Sequence, residues 1–153
     1  MAKFQVSPSF LIGHVYYYGE VFEKILGEVR ADLTDPVKSA YDKNLKPTLH
    51  SDYNCQPVDP LRCIYNAVTR KMKYAPGRVL NKDQCVTPLQ AVQAMTINAA
   101  WQCHMEDIVG SIEVGKMADF VILEQDPVDP KTDPEEIINI KISETWMDGK
   151  PTF

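Results

Sequence analysis

The chain has no Cys-x-x-Cys pair, no apolar run of membrane-spanning length, no basic run longer than Arg70-Lys71-Met72-Lys73 and no internal repeat. Each absence narrows the reading. Without paired spacing, Cys55, Cys63, Cys85 and Cys103 do not make a zinc knuckle, and their places in or near apolar helical patterns suit reduced thiols. A net charge of -5 argues against a nucleic-acid-binding face and against an anionic membrane surface. The first residues carry one lysine and then Phe4-Gln5-Val6-Ser7-Pro8, which lacks the apolar core of a signal peptide. Together these absences predict a cytoplasmic protein. What is present is ordinary for a globular fold: 153 residues, 44% hydrophobic and 24% charged, enough for one domain with a real core.

The stretch Pro47-Thr48-Leu49-His50-Ser51-Asp52 reads as a buried strand with its polar end last. Proline cannot donate to a ladder and suits the first strand position, and Tyr53-Asn54 with Gln56-Pro57 begins a loop. Side chains alternate along a strand, so His50 and Asp52 point to one side. In an α/β fold, ligands and catalytic groups collect beyond the C-terminal ends of parallel strands. A histidine and a carboxylate there can hold a metal or move a proton. They can equally cap a strand end and bond to the next loop, and the residues alone leave both roles open.

Upstream, Phe4 to Ile12 reads as a strand interrupted at Ser7-Pro8-Ser9, leading into a Gly13-His14-Val15-Tyr16-Tyr17-Tyr18-Gly19 loop. Glycines bracketing a histidine and three tyrosines suit either a pocket wall or a packed aromatic cluster. Glu20 to Arg30 is helical, with Val21, Ile25, Leu26 and Val29 on one stripe. Asp35-Pro36 opens a second helix, the aspartate as cap, running through Val37, Ala40 and Tyr41 to a left-handed stop at Asn44. Asp59-Pro60 opens a third, with Leu61, Ile64, Tyr65 and Val68 on its apolar face and the other face polar. Thr87-Pro88-Leu89-Gln90 is a capping box for a helix that buries Leu89, Val92, Met95, Thr96 and Ala99. Strands between helices predict a parallel α/β sheet. Beyond His104 the pattern changes to a turn, a short strand, a Gly115-Lys116 turn and an apolar strand, then a Pro/Asp-rich loop. An alternating strand from Ile138, an Asp148-Gly149 hairpin turn and a last strand fragment follow. The boundary falls near Met105, dividing residues 1–105 from 106–153.

Four of these motifs carry a family resemblance. Gly110-Ser111-Ile112-Glu113-Val114-Gly115-Lys116-Met117-Ala118-Asp119-Phe120-Val121-Ile122-Leu123 resembles the C-terminal signature of the amidohydrolase superfamily. With Thr96-x-Asn98-Ala99-Ala100, His50-Ser51-Asp52 and Gly13 to Gly19, the chain resembles the family 3 branch, which includes N-substituted formamide deformylases. The resemblance implies the C-terminal part of a metal-dependent hydrolase TIM-type barrel, in residues 1–105, followed by strands of a small β-sandwich in 106–153. It implies hydrolysis of a non-peptide C–N bond in a small amide or formamide, using water activated on a divalent metal, usually zinc. Asp52 aligns with the family's carboxylate from the last barrel strand, both metal ligand and catalytic proton carrier. His14, Tyr16, Tyr18 and His50 are then substrate-binding.

The departures from the family are equally specific. The chain's histidines are His14, His50 and His104, none in the His-x-His spacing of the first barrel strand, and a whole barrel needs about 250 residues. The expectation is therefore a C-terminal fragment, inactive and without bound metal when alone. Its open strand edges favour self-association or pairing with the absent N-terminal part of the barrel. The competing reading is a non-catalytic binding or interaction module built on an amidohydrolase remnant.

Overall fold

Pro47 is fully buried at the foot of β2 (Thr48–Leu49), where its missing N–H costs no ladder bond. β2 runs parallel to β1 (Ser9–Phe10), with Ser9 opposite Thr48 and Phe10 opposite Leu49. The ladder extends past both strands, because Thr48 N–H donates to Pro8 O at 3.0 Å and His50 N–H to Phe10 O at 2.9 Å. The computed structural model describes residues 1–153. Of the interrupted strand expected from Phe4 to Ile12, only Ser9 and Phe10 pair, and Ala2–Phe4 is a 3-10 turn ended by left-handed Gln5.

The segment expected as a loop is instead the first half of a helix, α1 (Gly13–Leu26). Its glycines serve packing. A Cβ on Gly13 would lie 1.4 Å from Gln56 Oε1, and one on Gly19 would lie 2.7 Å from Met72 Sδ. The helix stops at Gly27, whose φ is 78°, before the single turn of α2 (Glu28–Ala31). Val15 and Gly19 are buried, and Phe22 packs against the core below them. The stripe expected to be covered faces outward instead: Ile25 is 73% exposed and Val29 82%. Close approach at the two glycines has decided which face turns inward.

Asp35 does not cap α3 (Val37–Asp42); Pro36 holds that position, and Asp35 takes a left-handed φ of 46°. Asn44 ends the segment at φ 55°, as expected. α4 (Pro60–Thr69) starts as predicted, with the Asp59 carboxylate accepting from Arg62 N–H at 3.0 Å. Its second face is not polar surface. Cys63, Asn66, Ala67 and Thr69 are buried along with Leu61, Ile64, Tyr65 and Val68, because α1, α5 and the 3-10 turn Pro134–Asn139 enclose it. Ile137 from that turn joins the same core.

The capping box forms as predicted on α5 (Pro88–Met95): Gln90 N–H donates to Thr87 Oγ1 and Thr87 N–H to Gln90 Oε1, at 3.2 and 3.0 Å. The buried stripe differs. Ala91 and Ala94 face the core while Leu89 is half exposed, and the helix breaks at Thr96 (φ −125°, ψ −97°) before α6 (Ile97–Gln102). The break turns Asn98 inward, where its amide donates to Pro47 O at 3.0 Å and to the Tyr41 hydroxyl at 3.1 Å. Gln102 ties both strands together, accepting from Thr48 Oγ1 at 2.9 Å and donating to Ser7 Oγ at 3.0 Å.

The last third is an antiparallel sheet in the order β3 (Phe120–Leu123), β4 (Ile142–Met147), β5 (Lys150–Pro151). Asp148 and Gly149, at φ 49° and 69°, make the predicted hairpin turn. No strand forms at Ser111 to Val114; the segment is a turn closed by Lys116 Nζ, which donates to Ser111 Oγ at 2.6 Å. The architecture is mixed α/β, and its two parallel strands do not by themselves make a barrel.

Candidate functional site

Because β1 and β2 are parallel, the chain leaves both at one end, and the candidate residues gather there. His50 is the first residue past Leu49. His14 lies in the first turn of α1, its N–H donating to Leu11 O at 2.9 Å. Asp52 follows in a left-handed conformation at φ 49°; its carbonyl accepts from Cys55 N–H at 2.6 Å and its carboxylate from the Cys55 thiol. That contact, and the nearby negative charge, hold the exposed Cys55 thiol above its usual range. Beneath the loop, Gln56 is buried against the Cα of Gly13. A side chain on residue 13 would expel it, so glycine is required for the loop after β2 to lie against the start of α1.

His14 is the centre of the cluster. Burial, and then the neighbouring His50, hold its pKa below the ordinary imidazole value, while Asp52 pulls it upward. Its ring meets Tyr18 at 6.1 Å and Phe22 edge-on at 5.8 Å, one and two turns along the same helix face. Tyr18 thus stands against His14. Tyr16 takes another direction, edge-on to Tyr65 at 6.4 Å with the Arg62 guanidinium 5.8 Å from its ring. His104 lies exposed just past α6.

Two residues that sequence reasoning passed over belong to the site. The Asp35 carboxyl is buried, with Oδ2 3.6 Å from His14 Nδ1 and no hydrogen-bond partner of its own. That separation is an ion-pair distance and too long for a hydrogen bond. Burial pushes the Asp35 pKa up to about 7, against the pull of Arg70. Arg70 is fully buried and donates to three main-chain carbonyls: Leu80 O at 2.7 Å, Thr34 O at 2.8 Å and Asp35 O at 2.9 Å. It holds the Thr34-Asp35 corner in place. The sequence disguises both, since Asp before Pro is an ordinary helix start and Arg70 opens what reads as a surface basic run.

No three His, Cys, Asp or Glu side chains are grouped to hold a metal ion. Asp52 offers one carboxylate at the mouth, whereas a catalytic zinc takes about three protein ligands.

The family model described as amidohydrolase family matches residues 1–153. N-substituted formamide deformylase of Arthrobacter pascens is 34% identical over 90% of this chain and 25% of its own length. The chain thus spans about a quarter of the curated relatives it matches. Among solved structures, an uncharacterized metal-dependent hydrolase of Pyrococcus horikoshii superposes with a TM-score of 0.69 at 23% identity, covering 84% of this chain and 26% of that one. A zinc-bound adenosine deaminase of Xanthomonas campestris gives 0.60 at 19% identity, covering 78% and 28%. At such identities the structures speak for the fold. With the family model spanning every residue and a relative at 34% identity, this chain belongs to the amidohydrolase family.

Proposed function

We propose that this chain is the C-terminal part of a metal-dependent amidohydrolase that cleaves a non-peptide C–N bond of amide or formamide type, and that it is inactive without the rest of the barrel. The observation that carries the reading is the convergence of His14, His50 and Asp52 at one end of a parallel strand pair, in a chain 34% identical to a formamide deformylase. Residues 1–105 supply the last strand-helix units of the barrel and 106–153 the closing strands of a β-sandwich. A divalent metal, zinc in keeping with the deaminase that holds one, would take Asp52 as one ligand and the others from outside this chain. When bound it supplies an activated water and a polarised carbonyl.

The chain's own residues do the rest. Asp52 takes a proton and delivers it to the leaving nitrogen, and its exposed loop position leaves it free to move between the two. His14 hydrogen-bonds the substrate beside it, with Tyr18 and His50 flanking, and Tyr16 bounds the site from the α4 side. The exposed stripe of Val21, Ile25 and Val29 and the open edges of the two-stranded sheet supply surface for the remaining barrel units, or for a second copy when those are absent.

The test is Asp52→Asn in a protein carrying this chain with a complete barrel. The variant should fold and keep part of its metal while turnover falls about 10²- to 10⁴-fold. Near-full turnover in this variant, with His50→Ala inactive, would overturn the assignment.

A further inference from the structure

We propose that Asp35 is the positioning residue of His14: its buried carboxyl sets the orientation and tautomer of the imidazole, so that Nδ1 faces Asp35 and Nε2 faces the mouth beside Asp52. What the mouth does rests on the functional reading above; the geometry of the pair stands apart from it.

Four observations lead there. The Asp35 side chain is 10% exposed, its Oδ2 is buried without a hydrogen-bond partner, and Nδ1 of His14 lies 3.6 Å away. A buried carboxyl oxygen left without a partner is costly, and a small ring rotation toward it would supply one. The backbone is bent to bring it there: Asp35 sits at φ 46°, a conformation that aspartate tolerates better than most residues. The bend is locked by Arg70, which takes both the Thr34 and the Asp35 carbonyl in one guanidinium fork. Finally, Phe22 and Tyr18 wall the ring on the α1 side, which limits its rotation.

The charged and titratable groups around the pair come from each packed element. Asp35 meets His14 from α1 and Arg70 from the end of α4. His14 meets His50 and Asp52 from the segment after β2, and Arg70 is also faced by Asp32 and Cys85. Two arrangements follow from one proton. With Asp35 protonated, its O–H donates to Nδ1, and the imidazole hydrogen resides on Nε2 as a donor toward the mouth. With Asp35 ionised, Nδ1–H donates to the carboxylate, and the Nε2 lone pair faces the mouth. Since burial holds Asp35 near 7, the two exchange around neutrality, above the lowered range of the imidazole itself.

The chain's histidines are His14, His50 and His104, so ¹⁵N-histidine labelling gives a spectrum simple enough to assign with single His→Gln variants. Two-bond ¹H–¹⁵N correlations then report the tautomer of each ring. In the wild-type chain, His14 should pass from the Nε2–H to the Nδ1–H form as pH rises through neutrality. In Asp35→Asn, whose amide N–H₂ donates to Nδ1, it should stay Nε2–H throughout. Asp35→Ala should release the ring to the mixed signature of a free imidazole. Asparagine is isosteric, so the comparison survives if the alanine variant fails to fold. A wild-type His14 showing one unchanging tautomer between about pH 5 and 8, or the same signature in both variants as in wild type, would overturn the proposal. The readout needs no turnover, so an active Asp52→Asn enzyme would refute the catalytic reading and leave this one standing.

Discussion

The segment from Ile12 to Gln102 and the segment from Gly110 to Phe153 both carry apolar side chains, yet they use them differently. In the first, Ile12, Val15, Val37, Leu49, Ile64, Met72, Leu80 and Ala94 share one buried cluster around α4. In the second, Ile112 and Val114 stand free in solvent, and the sheet leaves Val121, Ile122 and Ile142 more than 40% exposed. Ile137 and Ile140 reach back into the core, with Leu123 and Ile138 packed against its edge. A groove of about 520 Å³ separates the two, lined by Met95, Ala99 and Cys103 on one side and Ile112, Phe120 and Val121 on the other. The lesson is that a helix enclosed on several sides makes a self-sufficient core, whereas a three-stranded sheet without a second layer leaves its apolar residues in solvent.

The contrast can be broken most forcefully at Arg70. Arg70→Met leaves three main-chain carbonyls without their donor, and the expected loss is on the order of 3–5 kcal/mol, the range for breaking a buried charged network. Val121→Ser, on the open sheet, should change stability by less than about 0.5 kcal/mol. Urea denaturation of both variants measures the difference. Equal effects would mean that the first region is no better enclosed than the second.

Gly13 offers a finer probe of the same enclosure. Glycine to alanine inside a helix normally stabilises by about 1 kcal/mol. Here the Cβ would collide with the Gln56 amide, so Gly13→Ala should destabilise by about 1–3 kcal/mol, the cost of overpacking. In a Gln56→Ala background the collision is gone, and the same substitution should become neutral or favourable. A double-mutant cycle without coupling would contradict the contact.

A smaller effect is the pH dependence that Asp35 confers. Its folded pKa, about 7, lies above the unfolded value of 3.8, so the native state holds the extra proton in that window and stability falls as pH rises through it. The lowered pKa of His14 acts oppositely, costing stability as pH falls below 6.5. Asp35→Asn removes only the first effect. Relative to wild type, the variant should gain about 1.4 kcal/mol or more between pH 4 and pH 8, read as the change in Tm difference across that range. A pH-independent difference would show that Asp35 is ionised at little cost.

How far these features could be read in advance depended on how local their causes are. The Thr87 capping box, the Asp59 cap, left-handed Asn44 and the Asp148-Gly149 turn are set by a few adjacent residues, and each formed as expected. Pairing of the strand at Thr48-Leu49 was legible from the proline before it, but the strand ends at Leu49 and Asp52 turns left-handed, so alternation does not carry His50 and Asp52 to one side as expected. Helix α1 was misread because its glycines answer to Gln56 and Met72, far along the chain. The buried stripe of α5 shifted because the break at Thr96 is imposed by packing of α6 under β2. Asp35 and Arg70 were hidden for the same reason: their partners are main-chain carbonyls and a histidine that only tertiary structure brings near.

The central claim is that the mouth at His14, His50 and Asp52 is one part of a hydrolytic site completed by residues outside this chain. Elemental analysis of the purified 153-residue chain, paired with an assay of N-acyl and formamide substrates with and without chelator, tests it most directly. The account predicts no stoichiometric zinc and no chelator-sensitive turnover. One zinc per chain, together with turnover that a chelator abolishes, would contradict it.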